Sequence, residues 1–181
     1  LIVLHFTIQV LPQHIQDFPD IKVYVAANPP YTENDTRQFF KQGYAAFLQT
    51  LVKDLKVENH ICFTGPLQAE QVADKLSRVH AYVLCSTIEN SPNTLGEAML
   101  VGTPCVAAYV GGVADMANDG QDALFYRAND PVLLAWNIKR IFDDDELALE
   151  LSLHARQRAL KTHDPAANAN ALLDAYTQIL K

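Results

Sequence analysis

Short apolar runs that alternate with amphipathic stretches constrain this chain more than any other feature. Residues 21–27, 60–64, 80–85, 105–109 and 123–126 are mostly Val, Ile, Leu, Ala, Cys, Phe and Tyr and are bounded by Pro, Gly or polar residues, so they read as five strands. Residues 1–17 place Leu4, Ile8, Leu11 and Ile15 at helical spacing, with Pro12 as a candidate kink. Residues 34–57 carry Phe39, Phe40, Tyr44, Phe47, Leu48, Leu51 and Leu55 on one helical face, with Asn34 or Asp35 as the cap. Residues 69–78 and 113–118 read as short helices, and 131–142, 144–162 and 165–180 as three longer ones in succession. Strands alternating with helices enter a mostly parallel sheet with helices on both faces. The predicted fold is therefore α/β, with the last three helices packed along one side or returned across a neighbour. No repeat, linker or low-complexity tract divides the 181 residues, which suits a single domain.

The chemistry concentrates in Ser86-Thr-Ile-Glu-Asn-Ser-Pro-Asn-Thr-Leu-Gly-Glu-Ala-Met99. This stretch leaves the strand 80–85, crosses a short polar loop and enters a helix that Gly102 and Pro104 end. Ser91 is the expected N-cap, and Pro92 suits the first helical position, where no N–H is required. The N–H groups of Asn93 and Thr94 would then point outward at the positive end of the helix dipole, a setting that suits a phosphate. Ligands of open α/β sheets bind outside the carboxyl ends of the strands, where this loop stands. Glu97, one turn into the helix, is placed to accept from ribose hydroxyls, and Glu89, across the loop, to meet a polar sugar ring. On spacing alone, Glu89 and Glu97 are equally readable as two solvated surface carboxylates.

Composition narrows the partners. Fourteen Lys and Arg against 21 Asp and Glu give a formal charge of −7, with no basic cluster, which argues against a nucleic-acid surface. Polyphosphate ligands stay open, because helix N-termini bind them without net positive charge. Cys62, Cys85 and Cys105 lie in or beside apolar runs at no zinc-binding spacing, and read as reduced core thiols of a cytoplasmic protein. No transmembrane run and no signal peptide is visible, and the sequence opens at Leu1 without a Met, so the natural N-terminus is expected to lie upstream. Trp136, with Leu133, Leu134, Ile138 and Ile141, reads as core. His163-Asp164 before Pro165 reads as a cap and a turn rather than a catalytic dyad.

In order along the chain, Glu89-Asn-Ser-Pro-Asn-Thr-Leu-Gly-Glu97-Ala-Met, Gly102-Thr-Pro and Gly111-Gly112 resemble the C-terminal half of group 1 (GT4-type) retaining glycosyltransferases of the two-Rossmann-domain GT-B class. Asn59-His-Ile-Cys-Phe-Thr-Gly65 and Asn118-Asp-Gly-Gln-Asp-Ala-Leu-Phe-Tyr126 resemble the flanking segments, so the likeness spans roughly residues 20 to 180. The resemblance implies a Rossmann-like three-layer α/β/α domain that binds a nucleotide-diphosphate sugar, UDP or GDP. It implies that Glu89 lies against the donor sugar near the anomeric centre. Backbone around Ser91, Asn93, Thr94 and Leu95 would hold sugar hydroxyls or diphosphate, and Glu97 the ribose. The backbone at Gly65 to Leu67 would meet the base. Gly111-Gly112, next to a helix start and downstream of the glutamates, reads by itself as a phosphate-loop signal. The resemblance implies no cofactor and no metal, and a glycan or lipid acceptor held by a separate N-terminal domain, with any peripheral membrane association residing there.

Three departures stand out. The family's upstream Arg and Lys on a Gly-rich loop have no counterpart, since residues 1–30 contain one Lys or Arg, Lys22. That loop, the first strand and the acceptor domain are expected to be absent, leaving a fragment inactive alone. His80 stands where Asp is common, and Asp115 where Glu follows the double Gly; Asp115 is either a contact to the nucleotide loop or a first-turn acid favouring the helix dipole. A nucleotide-sugar epimerase, a phosphorylase or a non-catalytic nucleotide-binding module are the alternatives. A phosphorylase would need a cofactor lysine, and Lys75, Lys139 and Lys161 fall in predicted helices.

Overall fold

The computed structural model describes residues 4–27 and 43–180. In chain order the elements are α1 (Leu4–Asp17), β1 (Val23–Val25), α2 (Tyr44–Asp54), β2 (Ile61–Phe63), α3 (Ala69–Leu76), β3 (Tyr82–Leu84), α4 (Asn93–Val101), β4 (Cys105–Ala108), α5 (Val113–Met116), β5 (Leu124–Tyr126), α6 (Pro131–Asp143), α7 (Asp145–Thr162) and α8 (Pro165–Ile179). Every strand pair is parallel, as the alternation requires. The expected helix over residues 34–57 is seen as α2; its first part, with Asn34, Asp35, Phe39 and Phe40, lies outside the described residues.

Among the described residues the five strands form two sheets rather than one. β1 pairs with β2, and β3, β4 and β5 form a second sheet in that order. Residues alternate across the second sheet without exception. Tyr82, Leu84, Cys105, Ala107 and Phe125 face one apolar cluster, with Leu95, Ala98 and Met99 of α4, Val113 and Met116 of α5, and Ala155 and Ala159 of α7. Val83, Val106, Ala108, Leu124 and Tyr126 face the other, with Val10 of α1 and Leu134, Ala135, Ile138 and Ile141 of α6. Helices on both faces make the domain a three-layer, Rossmann-like α/β/α unit. β4 is buried at all four positions because it has a strand on each side and a helix layer above and below. A third cluster joins Leu4, Ile8 and Leu11 of α1 with Leu48 and Val52 of α2 and the β1–β2 pair.

Capping explains the C-terminal helices. Asp130, Asp144 and Asp164 accept from backbone N–H groups two or three residues ahead, and Pro131 and Pro165 occupy first-turn positions where no N–H is needed. Asp164 is thus a cap, as its place before Pro165 predicts. Pro12 sits inside α1 without ending it.

Two expectations of burial fail. Trp136 is 59% exposed and Leu133 lies beside it on the outer face of α6, because the inward stripe is taken by Leu134, Ile138 and Ile141. Cys62 is exposed, since alternation along β2 turns it outward, whereas Cys85 and Cys105 are buried. Burial raises the Cys85 and Cys105 thiols above their ordinary range. Among the described residues no helix is long and apolar enough to cross a membrane.

Candidate nucleotide-sugar site

The site is assembled where parallel strands end together. β3 and β4 run side by side, with Leu84 opposite Ala107, so the loop after each emerges at the same edge of the sheet. After β3 come Cys85 and Ser86, both buried, then the loop holding Glu89. After β4 come Tyr109 and Val110, then Gly111-Gly112.

These two loops touch. The Gly112 N–H donates to the carbonyl oxygen of Asn90 at 2.7 Å. A Cβ on Gly111 would overlap the Glu89 carbonyl, and one on Gly112 would overlap the Asn90 carbonyl oxygen. Gly111 also has φ +50°, which L side chains adopt at a cost. Both glycines are therefore required by close backbone approach. Glu89, half-buried, is held against the Gly111-Gly112 turn through its own main chain.

α4 begins one residue later than its sequence suggests. Asn93 is its first residue, and Pro92, extended at ψ 103°, takes the cap position without a side-chain cap. Ser91 is therefore not the N-cap; its hydroxyl turns instead to the Met116 sulfur at 3.7 Å. The Pro92 carbonyl accepts from the N–H of Leu95 at 3.0 Å, so that donor is engaged within the turn. The N–H groups of Asn93 and Thr94 point out of the first turn, as the opening donors of a helix must. Asn93 and Glu97, four apart, share an exposed face, while Leu95, Gly96, Ala98 and Met99 are buried on the other side. Glu97 and Glu89 form no hydrogen bond or salt bridge among the described residues, which leaves both carboxylates to a ligand or to water. Gly65 and Leu67 stand on the turn after β2, where the Gly65 N–H donates to the Ala27 carbonyl at 3.2 Å. That turn leads into α3, which packs on α4.

Tyr82, which belongs to no sequence motif, and His163, which the sequence places only in a cap and turn, support this edge. The Tyr82 hydroxyl donates to the Thr94 hydroxyl at 2.8 Å, fixing the first turn of α4 to β3. Burial raises the Tyr82 phenol far above its ordinary range, against the opposing pull of the Thr94 bond, with nearby Glu89 adding to the rise. The His163 imidazole covers Gly96: a Cβ there would overlap its Nε2. At the other end of α4, Gly102 takes the left-handed conformation at φ +88°, and α7 donates to the exposed carbonyls, Ser152 to Gly102 at 2.5 Å and Arg156 to Leu100 at 2.6 Å. Among the described residues no group of His, Cys, Asp and Glu is arranged to hold a metal ion.

Residues 4–158 match the family model described as glycosyl transferases group 1. The chain belongs to that family. Its glycosyltransferase relatives include a D-inositol 3-phosphate glycosyltransferase of Corynebacterium efficiens, 26% identical over 97% of this chain and 43% of the relative. An N-acetyl-alpha-D-glucosaminyl L-malate synthase of Bacillus anthracis is 29% identical over 80% of this chain and 39% of the relative. This group 1 chain thus spans less than half the length of those relatives. Among solved structures, Anabaena HepE in complex with UDP superposes with a TM-score of 0.84 at 20% identity, covering 98% of this chain and 45% of that one. At that identity the likeness establishes the Rossmann-like fold.

Proposed function

We propose that this chain is the donor-binding half of a glycosyltransferase that moves a sugar, with retention, from a UDP- or GDP-sugar to an acceptor hydroxyl. The observation that carries the reading is the joint between the Glu89-Asn90 loop and Gly111-Gly112, set beside the open N-terminus of α4 with Glu97 on its exposed face. In this reading the N–H groups of Asn93 and Thr94 and the backbone of Ser91 receive the diphosphate or sugar hydroxyls. Leu95 contributes by packing, since its N–H is engaged. Glu97 accepts from the ribose hydroxyls, and the backbone at Gly65 to Leu67 meets the base. Gly111 and Gly112 bring the second loop close enough to border the sugar.

The chemistry follows from charge. The bond from the anomeric carbon to the diphosphate oxygen breaks, and its electron pair leaves with the nucleoside diphosphate. The helix terminus stabilises that growing negative charge, and the Glu89 carboxylate stabilises the positive charge on the ring. The acceptor oxygen bonds to the anomeric carbon on the face that the diphosphate leaves, and its proton passes to the departing phosphate oxygen. No cofactor or metal is required in this scheme.

The domain reading is supported by the break between the two sheets. α1 leads into β1 as a crossover helix leads into a parallel strand. One further strand and an acceptor domain complete the enzyme we propose; alone, the chain binds nucleotide weakly and transfers nothing. The relatives' names extend the candidate acceptors beyond glycans and lipids to small alcohols such as an inositol phosphate or malate. The phosphorylase alternative finds no support: Lys75, Lys139 and Lys161 lie on α3, α6 and α7, and Lys139 is tied to Asp17 and Asp143.

The direct test is Glu89→Gln in the complete enzyme. Turnover is expected to fall by about 100-fold or more, the scale of losing one preorganised electrostatic group. Unchanged turnover would favour a role for Glu89 outside the reaction.

A further inference from the structure

Arg158 on α7 belongs to no sequence motif and lies well along the chain from the glutamates. Its guanidinium reaches α5. Nε donates to the Met116 carbonyl at 2.6 Å, and Nη2 donates to the Asp115 carbonyl at 3.0 Å. Nε also stands 3.6 Å from Oδ2 of Asp122. Asp122 is 4% exposed, and the same oxygen accepts from the Asn118 N–H at 2.9 Å. One cation thus gathers the last carbonyls of α5 and the turn that follows it, which is the sign of charge a helix C-terminus favours.

α5 is held by the burial of Val113 and Met116 and by this anchor at its end. It has four residues and no side-chain cap at its N-terminus, and one turn of helix does not hold itself. The residue before it, at the cap position, is Gly112, whose N–H donates to Asn90. The linkage therefore runs from Arg158 to the end of α5, through α5 to Gly112, and from Gly112 to the main chain of Asn90 and Glu89. α4 is held by other groups: Tyr82 at its first turn, Ser152 and Arg156 at its last.

We propose that Arg158 is a positioning residue that sets the place of Glu89 through α5 and Gly112, and so governs recognition of the donor sugar but not of the nucleotide. What Glu89 meets rests on the function proposed above; the mechanical link does not.

The test compares the 181-residue chain with Arg158→Lys and Arg158→Ala by two measurements. The first is amide exchange at Gly112, with Val106 of β4 as the internal reference. Exchange at Gly112 is expected to rise by about tenfold or more in Arg158→Ala, as local opening becomes easier, while Val106 is unchanged. The second is the affinity for UDP and GDP against UDP-glucose and GDP-mannose. Loss of the anchor is expected to remove the extra affinity that the sugar confers and to leave the free diphosphate within about twofold, since a charge-assisted contact is lost only on the Glu89 side. Arg158→Lys, with one compact cation, restores part of both effects. Unchanged exchange at Gly112 overturns the proposal, as does an equal fall in affinity for nucleotide and nucleotide sugar, which would mark a general structural role. If no nucleotide binds the wild-type chain, the donor-half reading fails for this chain, and the exchange measurement alone decides whether Arg158 positions Glu89.

Discussion

The Gly112 N–H and the Asn90 carbonyl, 2.7 Å apart, join the loop after β4 to the loop after β3. This single bond explains why a double glycine follows β4. It brings two main chains together more closely than any side chain would permit.

Gly112→Ala is expected to destabilise the chain by about 1–3 kcal/mol, the usual cost of overpacking a close contact. Gly111→Ala adds the cost of its φ of +50° to the same overlap and should be worse. Urea denaturation of both variants measures this, and an unchanged midpoint would mean that the loops separate freely.

Gly96→Ala inverts the usual rule. Glycine to alanine inside a helix normally gains up to about 1 kcal/mol. Here the new methyl would overlap the His163 ring, so stability is expected to fall. His163→Ala in the same chain should recover the loss, and a double-mutant cycle by thermal denaturation reads the coupling. Additive effects would show that His163 does not cover Gly96 in solution.

His14 gives the chain a pH dependence. Its side chain is 1% exposed, neither ring nitrogen has a hydrogen-bond partner among the described residues, and burial lowers its pKa. Lys139 pushes the same way, while Asp17 and Asp143 oppose. With a depressed folded value, the unfolded state binds more protons as pH falls below about 6.5, the free imidazole value. Stability from this group is therefore present above that pH and lost below it. His14→Leu should flatten stability between about pH 5 and pH 7, and it should raise stability by about 1–2 kcal/mol by removing unsatisfied polar atoms. A denaturation series that keeps its slope after the substitution would place the titration elsewhere.

Chelation bears on the metal-free scheme. Turnover of the complete enzyme is expected to survive EDTA, because in the proposed scheme helix N–H groups supply the electrostatic stabilisation that a divalent ion would otherwise give. Abolished turnover that added magnesium restores would contradict this.

The strands and helices were legible because burial on two faces leaves a strong imprint: Cys105 to Ala108 could hardly be anything but a central strand. Gly102 as a helix stop and Asp164 as a cap were legible for the same reason, since backbone conformation dictates the residue. Ser91 was misread because a good cap residue stood beside a proline that takes the cap position itself, leaving the hydroxyl to Met116. Trp136 was misread because size outweighed its place on the outer stripe of α6. Tyr82, Arg158 and His163 act across 12 to 67 positions of sequence, on Thr94, Asp115, Met116 and Gly96, and no local pattern encodes such meetings. The split of the strands into two sheets was likewise invisible, because the alternation of apolar runs fixes strands but not their neighbours.

The most direct measurement is ligand-observed NMR of the 181-residue chain with UDP, GDP, ADP and their sugars, with Glu97→Ala as the control. Binding of UDP or GDP that weakens in Glu97→Ala is the expected result, and it would name the base. Binding of neither, in a chain shown by its amide spectrum to be folded, would contradict the assignment of this edge of the sheet as a donor site.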